Sequence, residues 1–305
     1  ERNEANPLEE DLIIVDEASM LDISLFYHLL CALKDGARLI LVGDIDQLPP
    51  VGAGEPLKDL MSWGYVPIVR LKRIFRQEEG SGIVENAALI RKGEMCVPDE
   101  AGEFRIVYAA DDEDAYRIVM DLCRELNYGN EENKMLLQVL SPMYRGVCGV
   151  DHLNESLQEM IHGEKVPDGM KFFPGDKVMQ TRNDYEKGIY NGDVGTVWTA
   201  TPQKVFVRYF DKEVVYEGEE RFDLRLAYAV TVHKSQGSEY ETVIFILRPS
   251  QHNMLQRNLL YTGVTRARKN TILVTAPDAL RRALAIQHTG NRYSLFLPFL
   301  NHEAL

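Results

Sequence analysis

The sequence predicts an α/β fold with a parallel sheet, interrupted late in the chain by a small all-β insertion. Three observations carry this expectation. Residues 11–17 (DLIIVDE) and 38–44 (RLILVGD) are short, nearly continuous apolar runs ending in acidic residues, the pattern of strands buried on both faces. Between them Leu21, Leu25, Leu29 and Leu33 recur four apart, with Phe26 and Leu30 alongside, which marks one face of a helix. Between Phe172 and Leu226 the texture changes to short runs separated by turn residues, as in antiparallel β structure.

The elements follow in order. Asp22 or Ser24 caps the first helix and Gly36 stops it, so the first 44 residues read strand–helix–strand, a βαβ unit. A second α/β region opens near Glu103, with a short strand over 104–108. Ala115, Ile118, Val119, Leu122 and Leu126 place a helix over 112–126, and 135–140 is another buried strand. The insertion then runs PGDKVMQ, NGDVGTVW, KVFVRYF and KEVVYEG, with a strong turn signal at Asn191-Gly192-Asp193. The α/β pattern returns as a strand over 242–247, a helix around 254–261 and a strand over 271–275. No internal repeat or low-complexity stretch interrupts the chain.

With 305 residues the chain has room for two domains of roughly 150 residues each. Apolar residues are 45% and charged residues 27%, as in soluble globular proteins. No apolar run approaches the ~18–20 residues of a membrane-spanning helix, and the polar, acidic start carries no secretory signal, so no membrane partner is expected. The opening at Glu1, running straight into a strand-like block, reads as a cut inside a larger protein. Cys31, Cys96, Cys123 and Cys148 are scattered and form no C-x-x-C pair, which argues against zinc. Cys31 and Cys123 sit in apolar helical patterns as small hydrophobes, consistent with a reducing cytoplasm. A net charge of −13 argues against a wholly basic nucleic-acid surface. It leaves room for local basic tracks: Arg70, Lys72, Arg73 and Arg76 form one cluster, and Arg257, Arg266, Arg268 and Lys269 another.

Four blocks have the composition of sites. Asp16 and Glu17 end a parallel strand, where open α/β sheets bind ligands. One carboxylate suits a magnesium ion held through water, and its neighbour suits orienting a water in phosphoryl transfer. Alone, the pair is more often a helix-start feature. GDIDQLPPVGAG at 43–54 leaves the next strand, with Asp44 28 residues after Asp16. In it Gln47 suits sensing a γ-phosphate, Pro49 and Pro50 stiffen the loop, and Gly52 and Gly54 permit close approach of another backbone. Alone, it is a Pro-Gly turn. In TVHKSQGSEY at 231–240, His233 and Lys234 suit a phosphate backbone, Gly237 a tight approach and Glu239 a ribose hydroxyl. In LLYTGVTRARK at 259–269, an arginine reaching a bound triphosphate is the alternative to a solvated surface.

Taken together, VDEASM, GDIDQLPPVG, TVHKSQGSEY and YTGVTRAR resemble motifs II, III, V and VI of superfamily 1 helicases, in order. LKRIFRQ at 71–77 resembles motif IV. LSPMYRGVCGVDHLNESLQ at 140–158 resembles the segment that RecD-like proteins carry between motifs IV and V. The LPPVG ending of motif III is similar to the RecD, TraA and Pif-type branch rather than the Rep-like one, and the resemblance covers essentially the whole chain. It implies two RecA-like domains of the P-loop NTPase kind with ATP between them. The first, truncated, would span 1–78 and the second 79–305, with an SH3-like β-barrel at 172–226. It further implies that Asp16 serves Mg2+, Glu17 positions the hydrolytic water and Gln47 reads the γ-phosphate. Arg76 and Arg266 would stabilise the charge developing on that phosphate, and Gly237 and Glu239 would lie against the nucleotide. Pro49, Pro50, Thr231, His233 and Lys234 would lie along single-stranded DNA, with the barrel helping to hold the strand and translocation running 5′ to 3′.

The pattern departs from the family at one place. No G-x-x-x-x-G-K-[ST] loop occurs in the chain, and that loop cradles the phosphates of ATP. The segment bearing the strand-separating pin is also missing. The expectation is an ATP-dependent DNA helicase in the full-length parent and little ATP hydrolysis by this chain alone. Two other readings remain open: a non-catalytic module that binds single strands or protein, and a subunit of an exonuclease V type complex with helicase and nuclease partners. The second draws no support from the residues, which hold no carboxylate cluster of nuclease-like spacing beyond Asp16 and Glu17. Relaxase-linked TraA-type helicases fit the same motifs.

Overall fold

A computed structural model of the protein describes residues 2–71, 80–167, 169–287 and 296–301. The chain divides into two compact units, residues 1–75 with 286–305, and residues 76–285. The expected boundary between 78 and 79 falls outside the described residues. The end of the chain differs from the expectation that all of 79–305 belongs to the second domain. The segment after residue 285 groups with the first unit, where the helix Phe296–Leu300 packs on Pro56–Trp63 and Phe296 meets Phe26 edge-on at 5.8 Å.

In the first unit β1 (Leu12–Val15), α1 (Ile23–Cys31), β2 (Arg38–Leu41) and α2 (Pro56–Trp63) follow one another. The two strands pair in parallel, Leu12 opposite Arg38 through Val15 opposite Leu41, so the expected βαβ unit forms. Asp22 is the helix cap, accepting from the Leu25 amide at 2.8 Å, which satisfies one of the amides a helix start leaves open. The strands are not buried on both faces, which corrects the sequence reading. Leu12 and Ile14 on β1 and Ile40 on β2 are exposed, because one face of this two-stranded sheet is uncovered by the described residues.

The second unit opens with α3 (Gly82–Lys92), then β3 (Phe104–Tyr108), α4 (Asp112–Glu125), the short α5 (Glu131–Lys134), β4 (Leu137–Ser141) and α6 (Val150–His162). A five-stranded antiparallel sheet follows: β5 (Lys177–Gln180), β6 (Val194–Ala200), β7 (Lys204–Arg208), β8 (Glu213–Glu217) and β9 (Leu224–Leu226), in the order β8-β7-β6-β5-β9. The chain then returns through β10 (Ala229–Thr231), β11 (Tyr240–Leu247), α7 (Arg257–Val264), β12 (Ala267–Thr275) and α8 (Pro277–Ala285). The parallel strands order as β10-β4-β11-β12-β3. β4 and the last five residues of β11 are buried throughout, as expected where helices cover both faces of a parallel sheet. The insertion has its own core of Phe172, Val178, Ile189, Val197, Val207, Tyr216 and Leu224, fed by the inward members of alternating strands such as Val205 and Val207 on β7. Helices α3 and α6 were not singled out in the sequence; α6 buries Leu153 and Leu157 against the main core.

Candidate nucleotide and single-strand sites

In the first unit the carboxylate pair leaves the C-terminal end of β1. Asp16 is exposed, and its Oδ1 accepts from the Glu17 amide at 2.8 Å. Glu17 adopts φ 51° and ψ 36°, the left-handed region that a residue bearing a Cβ seldom enters, and such strain concentrates at functional turns. The turn is held from β2, where the Val42 carbonyl accepts from the Ala18 amide at 2.8 Å. The second loop folds on itself, with the Asp44 carboxylate accepting from the Asp46 amide at 3.0 Å and the Asp44 carbonyl from the Gln47 amide at 3.2 Å. Gly52 permits a close approach, though to a side chain rather than a backbone: a Cβ there would lie 2.0 Å from Asp22 Oδ2. The loop thereby rests on the α1 cap, with the Ala53 carbonyl accepting from the Ile23 amide at 2.9 Å. Ser19, Gln47, Pro49, Pro50 and Lys58 line one small cavity. Among the described residues Ser19 Oγ and Gln47 Oε1 are buried in it without a hydrogen-bond partner. An orphaned buried acceptor is costly in a finished structure and fits a loop shaped for a polar ligand.

In the second unit β10 ends at Thr231 and delivers the Thr231–Tyr240 block. Thr231 Oγ1 accepts from the Lys234 amide at 3.2 Å, and Gly237 takes φ 75°, a turn conformation suited to glycine. Lys234 is half-buried and its Nζ donates to Asn191 Oδ1 at 2.6 Å. Burial, and then the charge of Arg225, hold its ammonium below the usual lysine range. His233 lies partly buried in the same turn. Arg266 is only 2% exposed. Its guanidinium donates to the carbonyls of Thr262 and Ser238, both at 3.2 Å, which ties the end of α7 to the loop before β11. Glu239 Oε2 accepts from Arg268 Nε at 2.6 Å.

In one of the two expected basic clusters each cation has an acceptor within the second unit. Arg268 pairs with Glu239, Lys269 with Glu241 at 2.9 Å, and Arg257 donates to the Leu284 carbonyl at 2.6 Å. Arg266 is buried, while the Arg268 and Lys269 side chains stay largely exposed. Of the other cluster, Arg70 is exposed, while Lys72, Arg73 and Arg76 lie outside the described residues.

Sequence reasoning missed a trough that joins three separate segments. Tyr144 and Arg145 come from the turn after β4, Arg182, Phe222 and Arg225 from the insertion, and Lys234 from the 231–240 turn. Arg225 lies over the Tyr144 ring at 6.0 Å, and Phe222 is exposed. The trough also carries acids, with Arg225 3.9 Å from Asp151 and Arg182 3.6 Å from Asp223. Tyr144, Arg145 and Lys234 sat inside quoted motifs; the barrel residues carry no local signal.

The family profile of the ATP-dependent RecD-like DNA helicase SH3 domain matches residues 153–209, that of the UvrD-like helicase C-terminal domain residues 226–274, and an AAA domain residues 3–105. An ATP-dependent RecD2 DNA helicase of Deinococcus radiodurans is 37% identical over 96% of this chain and 40% of its own length. The chain belongs to the RecD-like helicase family. The RecBCD enzyme subunit RecD of Mycolicibacterium smegmatis is 33% identical over 95% of the chain and 55% of its own length, so this RecD-like chain spans about half the length of these curated relatives. Among solved structures, a Bacteroides Pif1 helicase in complex with ADP-AlF3 and single-stranded DNA superposes with TM-score 0.59 at 20% identity, covering 92% of this chain and 73% of that one. The Pif1 helicase from Candida albicans gives 0.57 at 19% identity, covering 92% and 74%. At that identity the likeness is one of fold, and it agrees with the α/β architecture and SH3-like insertion described above. Among the described residues no helix is long and apolar enough to cross a membrane.

Proposed function

We propose that this chain supplies the motif II to VI part of an ATP-driven DNA helicase that moves 5′ to 3′ along a single strand. The observation that carries the reading is the trough in which the 231–240 turn, the Tyr144–Arg145 turn and the inserted barrel meet, with Lys234 bonded to Asn191 across the junction. Exposed Tyr144 and Phe222 offer ring faces to bases, and the arginines and Lys234 offer donors to phosphates, the pairing of features that holds single strands without reading sequence. In the proposed arrangement Thr231 and His233 join this track through the turn they share with Lys234, and Pro49 and Pro50 belong to the strand-facing loop of the first unit.

The residues fit a magnesium nucleotide. Asp16 offers one exposed carboxylate, enough for an ion that keeps waters and takes its remaining oxygens from phosphate. Gln47 Oε1 is a buried oxygen with no hydrogen-bond partner among the described residues, and it lines the small cavity of the first unit with Ser19. In the proposed roles Asp16 holds Mg2+, Glu17 orients the attacking water and Gln47 senses the γ-phosphate. Gly237 lies against the nucleotide, and Glu239, now paired with Arg268, reaches its sugar. Arg76 and Arg266 steady the developing charge. Two relatives are named RecD2 helicase and RecBCD subunit RecD, and further helicase and nuclease subunits are the partners this suggests. Because no phosphate-cradling loop occurs in the 305 residues, the chain alone is expected to hydrolyse ATP negligibly.

The test is the anisotropy of a fluorescent oligo-dT titrated with the chain at low and moderate salt. Binding that weakens with salt and is lost when His233 and Lys234 both become Ala supports the reading. Binding unaffected by that double change places the strand elsewhere, and absence of binding at low salt overturns the strand-holding role.

A further inference from the structure

The insertion leaves and rejoins the α/β body at two crossings, one around Gly175–Lys177 and the other around Leu226–Ala229. Both are clamped by fully buried polar side chains. At the entry, Asp176 is 0% exposed and its carboxylate accepts from four donors: Gln158 Nε2 at 2.5 Å, His162 Nε2 at 2.8 Å, the Phe173 amide at 2.7 Å and the Tyr228 hydroxyl at 2.9 Å. Lys177 is 1% exposed. Its Nζ donates to Gln138 Oε1 at 2.9 Å and to the Leu137 carbonyl at 3.1 Å, with the rings of Tyr128 and Tyr240 5.6 and 5.5 Å away.

At the exit, Gln138 Nε2 donates to the carbonyls of Ala227 and Tyr228, the Tyr128 hydroxyl donates to the Tyr228 carbonyl at 2.6 Å, and Asn154 makes paired bonds with the Ala229 amide and carbonyl. The two crossings are joined to each other by the Tyr228–Asp176 bond and by the Ala227 amide donating to the Lys177 carbonyl at 2.8 Å. A hydrophobic seam would bind as well with less desolvation; polar side chains fix one geometry, because any slip leaves a buried donor or acceptor unmet.

What that geometry fixes is visible at either end. Tyr228 is followed directly by β10, and β10 ends at Thr231, where the 231–240 turn begins. At the other end β5 leads from Lys177 to the turn that presents Asn191 to Lys234. One seam therefore sets both partners of the Asn191–Lys234 contact.

We propose that the buried Asp176–Lys177–Gln138–Tyr228 seam is a latch that holds the barrel and the 231–240 turn as one body, and that Asn191 is the positioning residue through which the barrel sets Lys234 against the strand. The inference rests on the strand-holding role above for its consequence in binding, and on the structure alone for its consequence in mobility.

The test is a double-mutant cycle on the 305-residue chain. Lys177→Met removes the ammonium while keeping the stem, and Asn191→Ala removes the exposed contact without touching a core. Oligo-dT affinity and amide hydrogen exchange are read well below the melting temperature. Each single change is expected to weaken binding about fivefold, and the two together by little more than either, because they act through one contact. In Lys177→Met, exchange rises together in residues 181–193 and 229–240 while the β6-β7-β8 ladder keeps its protection. Independent, multiplying losses in affinity overturn the latch, as does exchange that stays at wild-type levels in both segments or rises evenly through the unit. If the wild-type chain binds no oligo-dT, the strand-holding reading fails, and the exchange pattern alone decides the latch.

Discussion

Several single atoms carry more of this structure than their residue types suggest. Gly52 has the Asp22 carboxylate where its own Cβ would stand, and that carboxylate is the α1 cap. Gly52→Ala is therefore expected to displace the cap and lower stability by about 1–2 kcal/mol, the usual worth of such a cap. Urea denaturation measures it, and a change indistinguishable from zero would mean the loop yields instead. Lys177 makes a second residue-scale prediction. Burial, and then the neighbouring Lys134, bring its pKa from 10.5 down to about 7. Facing it are the rings of Tyr128 and Tyr240, Gln138, and Lys134, itself paired with Glu131. A folded-state pKa below the unfolded one means the unfolded chain binds more protons between these values, so this group makes stability rise with pH across that window. The thiols of Cys96, Cys123 and Cys148, pushed up from 9.0 to about 12 by burial, act in the opposite sense, but only above pH 9. Comparing urea midpoints at pH 7 and pH 9 isolates the lysine: the gain in stability toward pH 9 should shrink in Lys177→Met. An identical gain in both proteins would show that the ammonium is already relieved in the fold.

At the scale of elements, the buried strands and amphipathic helices of the second unit follow from local pattern, and their ends mostly fall within a few residues of the expected positions. The early strands do not follow the rule, since the apolar run that reads as doubly buried in β1 is covered on one side only. Helix α7 shows how packing then reaches a site. Gly263 on α7 faces the Phe245 ring of β11, and a Cβ there would lie 2.5 Å from it. The Thr262 carbonyl beside it holds Arg266. Gly263→Ala is expected to lower stability by about 1–3 kcal/mol through overpacking and to lift α7 from the sheet, loosening Arg266. Denaturation gives the first effect and the rise in exchange of the Arg266 and Tyr240 amides the second. Loss of stability without that rise would separate Arg266 from the helix seat.

For the whole molecule, a net charge of −13 sets a strand-binding surface against an acidic background. The trough offers Arg145, Arg182, Arg225 and Lys234, two of them already near carboxylates. Four phosphate contacts at most give a slope of log affinity on log salt of about −3, at roughly −0.7 per contact for a single strand. A slope much steeper than that in the oligo-dT titration would place additional cations, such as those at residues 70–76, on the strand. A flat slope would leave stacking as the only grip.

The sequence alone determined the family, the α/β class, the place of the β insertion and the blocks at 16–17, 43–54, 231–240 and 259–269. Each of these is written in neighbouring residues whose spacing matches a local structure. The tertiary structure decided what no short window holds. It turned the basic cluster at 257–269 into paired and buried arginines, because their acceptors lie up to 29 residues away in sequence. It placed the end of the chain with the first unit, because α2 and the helix Phe296–Leu300 share a contact that sequence distance hides. It also set Lys234 against Asn191, and Asp176 against Tyr228 52 residues further on, since buried hydrogen bonds are satisfied by whatever the fold brings within reach.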